Sequence, residues 1–97
     1  MSRASPDDRL VETTLLALLA ARAPEASICP SEVARALVPR DEQAWRALMP
    51  QVRAVAATLA RQGRLRITRH GSELSPEQLG GGPIRLHRGD AAQGEGR

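Results

Sequence analysis

"WRALMPQVRAVAATLARQGRLRITRHG", residues 45–71, is the stretch whose reading decides the fold. Trp45, Leu48, Val52, Val55 and Leu59 recur in steps of three and four. At about 100° per residue they fall within a sector of roughly 80°, the pattern of one buried helix face. The helix is expected to begin near Asp41 and to stop at Gln62-Gly63, where glycine takes the left-handed conformation that ends helices. Trp45 is then expected in the core, packed against the first helix. Pro50 interrupts this pattern, because a proline inside a helix removes a hydrogen bond and clashes one turn back, at about 3 kcal/mol. One helix bent at Pro50 is the expectation. The alternative is two helices, Asp41 to Met49 and a second one beginning at Pro50.

Beyond Gly63 the period changes from 3.6 to 2. "RLRITR", Arg64 to Arg69, alternates polar and apolar residues, and "GPIRLHR", Gly82 to Arg88, repeats the alternation. Both read as half-buried strands, with Leu65, Ile67, Ile84 and Leu86 facing inward. They are expected to pair as an antiparallel hairpin. The connection "HGSELSPEQLGGG" is long for a tight turn, and Ser75-Pro76-Glu77-Gln78 has the chemistry of one helical turn. Residues 89–97, "GDAAQGEGR", have no apolar side chain larger than alanine and are expected to be a disordered tail, like residues 1–5 at the other end.

Upstream, Ser5-Pro6-Asp7-Asp8 signals a helix start, with Ser5 as cap, Pro6 at the first helical position and two acids near the positive end of the dipole. That helix is expected to run to about Arg22, burying Leu10, Val11, Thr14, Leu15, Leu18 and Leu19. Ile28 reads as a minimal strand. Cys29-Pro30-Ser31-Glu32 opens a second, short helix, which Pro39 ends by pushing its predecessor out of helical geometry. Cys29 itself reads as a small buried residue, since no His or Lys stands beside it.

Composition narrows the functional classes. The 97 residues include one Trp, no Phe and no Tyr, so the core is aliphatic and a large catalytic cleft is not expected. A single cysteine excludes an internal disulfide, and His70 and His87 lie too far from it for a metal site. These features, an acidic N-terminus and the lack of an apolar run near the roughly 20 residues of a membrane span, lead to an expectation of a cytoplasmic protein with no membrane association. Neither a cofactor nor an enzymatic activity is expected. Ser31, Ser72 and Ser75 lack a His-acid pattern, and Gly80 to Gly82 lack the Lys-Ser/Thr of a phosphate-binding loop.

Charge is unevenly placed. Residues 1–43 have five arginines and seven acids, a net of −2, whereas residues 44–88 have eight arginines and two acids, a net of +6. No lysine occurs anywhere in the chain. Arg46, Arg53 and Arg61, with Pro50, Ala54 and Ala57 between them, take the side of the third helix opposite its apolar face. Arg64, Arg66 and Arg85 take the outward positions of the hairpin. Such an excess points to an anionic partner, although arginine also decorates ordinary solvated faces.

Three helices followed by a two-stranded wing, mainly α with a small β-hairpin, are the order of a winged helix-turn-helix domain, expected over residues 6–88. "ICPSEVARAL", "WRALMPQVRAVAATLARQGRLRITRHG" and "GPIRL", in this order and spacing, resemble the domain-of-unknown-function 3253 family over about residues 9–88. The resemblance implies a winged-helix domain of bacterial origin and brings no activity to transfer. The residues therefore lead to the functional expectation. A DNA-binding protein, a regulator in the fullest form of this reading, would place Arg46, Arg53 and Arg61 in a groove and Arg64, Arg66 and Arg85 on phosphates. The competing expectation is a protein-interaction module without nucleic acid, and helix 1 is the surface expected for a homodimer.

Overall fold

A computed structural model describes residues 6–89. In chain order these form α1 (Asp8–Ala20), β1 (Ser27–Ile28), α2 (Pro30–Leu37), α3 (Glu42–Ala47), α4 (Met49–Arg61), β2 (Leu65–Arg69), β3 (Ser72–Leu74), a 3₁₀ turn (Pro76–Gln78) and β4 (Arg85–Arg88). The architecture is mainly helical, with one small antiparallel sheet of four strands in the order β1-β4-β2-β3.

The helix starts follow from short polar side chains. Asp7 caps α1 by accepting the Leu10 N–H at 2.9 Å, a role the sequence reading gave to Ser5, which lies outside the described residues. α2 opens as expected at Cys29-Pro30, with the Glu32 carboxylate accepting the Cys29 N–H at 3.0 Å and ion-pairing with Arg22 at 2.8 Å. The bond from Cys29 is the main reason that the Glu32 carboxyl is held below its usual range, with Arg22 adding to it and burial opposing. Asp41 caps α3 through the Ala44 N–H at 3.1 Å.

The single bent helix expected over residues 41–62 is instead two helices divided at Leu48. Pro50 falls in the first turn of α4, where a missing N–H leaves no intrahelical bond unmade, so the cost of a mid-helix proline does not arise. Two corrections follow from the division. Trp45 is half-buried rather than central, because the six-residue α3 packs at the rim against α2 and α4 and has no fully buried residue. Arg46 belongs to α3, not to the helix of Arg53 and Arg61.

Four strands replace the expected two-stranded wing. β2 and β4 do pair antiparallel, with Leu65 opposite Arg88 and Thr68 opposite Arg85. They are not a hairpin, however, because β3 comes between them in sequence. The tight turn lies at the start of the supposed long loop: His70 and Gly71 both take positive φ, 53° and 84°, the pair of conformations that a two-residue antiparallel turn requires. The expected helical turn is present at Pro76–Gln78, with Gln78 Oε1 accepting the Ser75 N–H at 2.9 Å. β4 pairs with β1 on its other side, Ile28 opposite Leu86.

The inner face of this sheet closes the core. Leu65, Ile67, Ile84 and Leu86 are buried as the alternation predicted, against Val11, Leu15 and Leu19 of α1, Val33 of α2, and Val52, Val55 and Leu59 of α4. Burial of each such side chain stabilises the fold by about 1.5–3 kcal/mol. Leu10, read as part of the buried face, is instead 47% exposed. Cys29, also read as buried, is half-buried.

Two arginines join parts of the fold that lie far apart in sequence. α1 has no basic residue in its last turn, and Arg88 of β4 supplies one: its Nη2 donates to the carbonyls of Leu19, Ala20 and Arg22 at 3.1, 3.4 and 2.9 Å. Arg69 at the end of β2 donates to the carbonyls of Leu79, Gly81 and Pro83 at 2.5, 2.7 and 3.0 Å. The Arg69 guanidinium donates from two nitrogens held in one plane, a geometry that an ammonium, with its three donors on one nitrogen, does not reproduce.

Two outcomes test this description. Gly89, which the sequence reading assigned to the tail, is buried, donates its N–H to the Arg64 carbonyl at 3.2 Å, and lies so close to Gly63, Arg64 and Leu65 that an added Cβ would collide with their backbone. Gly89→Ala should therefore cost about 3 kcal/mol and lower the Tm by at least about 10 °C; an unchanged midpoint would show that this contact is absent. Arg69→Ala should cost about 2 kcal/mol in denaturant unfolding, with faster amide exchange across residues 79–82. Arg69→Lys should recover less than half of that loss, and full recovery would show that charge alone matters.

Candidate nucleic-acid interface

All eight arginines between residues 44 and 88 have partners within the protein, and the partners sort them into three groups. The first comprises surface ion pairs. Arg46 meets Glu42 at 2.6 Å, Arg61 meets Glu77 at 3.3 Å and Arg64 meets Glu12 at 2.9 Å. Arg46 also stacks over the Trp45 ring at 5.3 Å, alongside Arg35 of α2 at 5.2 Å. Exposed pairs of this kind contribute about 0–1 kcal/mol, so each cation is easily transferred to another anion.

The second group holds backbone. Arg53 joins Arg69 and Arg88 here, donating to the carbonyls of Gly80, Gly82 and Leu79 at 2.7, 3.2 and 3.4 Å. Burial, with the nearby Arg69 charge, lowers the Arg53 pKa from its ordinary value. The face of α4 opposite the core is consequently not uniformly open. The 3₁₀ turn packs onto α4, and Ala57, expected on the exposed face, is buried beside Leu79. A shallow groove of about 450 Å³ remains between them, lined by Met49, Pro50, Arg53, Ala54, Ala57, Leu79 and Gly80. Pro50, Ala54, Thr58 and Arg61 are exposed.

The third group stands on the outer face of the sheet. Arg66 on β2 is exposed and directly opposite His87 on β4; its Nε donates to the Arg88 carbonyl at 3.3 Å, and among the described residues neither Nη makes a hydrogen bond. Arg85 is exposed and folds toward β1, its Nε donating to Ser27 Oγ at 2.8 Å, its Nη2 to the Ser27 carbonyl at 3.1 Å and its Nη1 to Cys29 Sγ. His87 lies between them. Thr68 Oγ1 and His87 Nε2 are 2.9 Å apart. Burial first, then the charges of Arg66 and Arg85, hold the His87 pKa below the usual imidazole value, with Glu73 acting the other way.

The six arginines singled out in the sequence thus divide by environment. Arg66 and Arg85 share one sheet face, Arg61 and Arg64 flank the α4–β2 junction, Arg46 lies on α3, and Arg53 is turned into the loop before β4. Sequence reasoning passed over His87 and Thr68, although the alternation that set Arg66 and Arg85 outward sets these two outward as well. Arg69 and Arg88 carried no such signal. Among the described residues no group of three or more His, Cys, Asp or Glu residues is placed to hold a metal ion, and no helix is long and apolar enough to cross a membrane.

A search among curated proteins finds no match to this chain. The profile of a family described as a protein of unknown function (DUF3253) matches residues 8–89, from the first residue of α1 to the buried glycine after β4. Since that span covers most of the 97 residues and every element described above, the chain belongs to the DUF3253 family.

Proposed function

We propose that this protein binds duplex DNA as a winged-helix domain, without catalysis. The observation that carries the reading is the concentration of positive charge: eight arginines against two acids between residues 44 and 88. The topology supports it. α4 leads directly into β2, and β1, β4 and β2 are neighbours in that order, the strand arrangement of a winged-helix sheet. In this reading residues 70–84 are the wing, enlarged by β3 and the 3₁₀ turn and folded back onto α4.

The exposed side chains of α4 are small apart from Arg61, so the helix approaches a major groove closely. Arg46, Arg61 and Arg64 exchange their surface carboxylates for phosphates at little cost. Arg66 and Arg85 meet the flanking backbone from the outer sheet face. Arg53 serves indirectly, by holding the wing against α4.

Salt dependence provides the test. Binding of random duplex DNA, followed by fluorescence anisotropy from about 50 mM salt upward, should weaken linearly on a log–log plot, with the slope shrinking by about 0.9 for each phosphate contact removed. Arg66→Ala and Arg85→Ala should each weaken binding evenly across sequences and flatten that slope. Arg46→Glu combined with Arg61→Glu should abolish binding and leave the circular dichroism spectrum native, because both side chains are exposed. If the parent protein does not bind at about 50 mM salt, where nonspecific attraction is strong, the reading fails.

A further inference from the structure

The outer sheet face holds an arrangement that charge counting alone does not explain. Across the sheet, Ser27 of β1 is opposite His87 of β4, and His87 is opposite Arg66 of β2. The Arg85 guanidinium rests on Ser27 at 2.8 Å. An imidazole therefore stands between two guanidinium groups, which is electrostatically unfavourable for any ring that carries a proton. Its Nε2 is engaged with Thr68 Oγ1 at 2.9 Å. Among the described residues no hydrogen bond is made by its Nδ1. The charged groups acting on the ring are Arg66, Arg85 and Glu73 from β2, β4 and β3, so the balance at this point is positive.

From this geometry we propose that Arg66, His87 and Arg85 form a binding site for one phosphate group, with both arginines bridging its oxygens and His87 Nδ1 supplying a third donor. The inference rests on the DNA reading, in that the phosphate belongs to the duplex backbone. Guanidinium groups suit the task because their planar N–H pairs match phosphate oxygens. His87 adds what the arginines lack, a charge that changes between about pH 5 and 8.

The sign of the linkage follows. In the free protein, burial and the two arginine charges hold the His87 pKa below the usual imidazole value. A phosphate between the guanidinium groups cancels their field, and the ring then takes up one proton from solvent and donates a charge-assisted bond from Nδ1. Binding is coupled to proton uptake, so affinity increases as pH falls through the histidine range. A rise of one unit in the His87 pKa on binding corresponds to about tenfold tighter binding by the protonated protein.

The experiment is an NMR titration of the imidazole resonances in the full chain, alone, with inorganic phosphate and with duplex DNA. Both phosphate sources should raise the His87 pKa by about one unit, and duplex affinity should be several-fold greater near pH 5.5 than near pH 8, approaching about tenfold only well below both pKa values. Arg66→Ala and Arg85→Ala should remove the phosphate-induced shift, and His87→Gln should remove the pH dependence of binding. His70→Gln, at the β2–β3 turn, should alter neither. If duplex DNA binds while the His87 pKa stays unmoved, this site is disproved and the DNA reading stands. Should inorganic phosphate shift His87 while no duplex binds, the site stands and the DNA reading falls.

Discussion

The pairing of β4 between β1 and β2 is the constraint on which the rest of this structure depends. β4 is the last of the described elements, yet it is an inner strand of the sheet, so the sheet closes only when β4 is laid down. Leu86 is fully buried between Ile28 and Ile67, its partners in register on either side. From the same short strand Arg88 reaches the carbonyl end of α1, Arg85 holds β1, and Gly89 fits against the start of β2. Non-local pairing of this kind requires loop closure before it returns any contact energy. β4 therefore couples the helical half of the molecule to the sheet as one cooperative unit.

Arginine takes an unusual share of that coupling. With no lysine and a single aromatic residue, the chain has arginine as its one long cationic side chain for bridging elements. Arg53, Arg69 and Arg88 each extend to three carbonyls, and all three serve segments whose own sequence leaves acceptors open: a glycine-rich loop and a helix end without a basic residue. Hydrogen bonds to a charged donor stabilise more than neutral ones, and buried carbonyls left unpaired are costly. Part of the positive charge that suggests an anionic ligand is thus committed to the fold. The part that remains at the surface is concentrated on the outer sheet face and beside the start of β2.

That distribution shapes the functional reading. In the proposed reading, a helix partly covered by the segment between β3 and β4 contacts a groove along a narrower strip than an uncovered one, and the exposed strip here consists of Pro50, Ala54, Thr58 and Arg61. Much of the binding charge in that reading falls to the sheet, where Arg66 and Arg85 stand around a histidine whose pKa they and burial lower. Phosphate contact there orients a duplex without reading its sequence, since sequence is read at base edges in the grooves.

Local signals in the sequence by themselves determined the helical first half, most of the buried faces of α1 and α4, the helix starts at Cys29-Pro30 and near Asp41, and the inward set Leu65, Ile67, Ile84 and Leu86. These features were legible because they rest on local geometry, 3.6 residues per helical turn and two per strand repeat, which a residue and its near neighbours dictate. The division at Leu48 was only half legible, since a proline marks either a bend or a first turn and packing chooses between them. Tertiary structure alone decided that β4 lies inside the sheet, that β3 and the 3₁₀ turn come between β2 and β4, that Ala57 is buried and Trp45 only half-buried, and which arginines face solvent. An arginine reads the same in sequence whether its guanidinium meets water, a carboxylate or a carbonyl 26 residues away, as between Arg53 and Leu79. Only the assembled fold sets which acceptors stand within its reach, and with them which charges are left for a ligand.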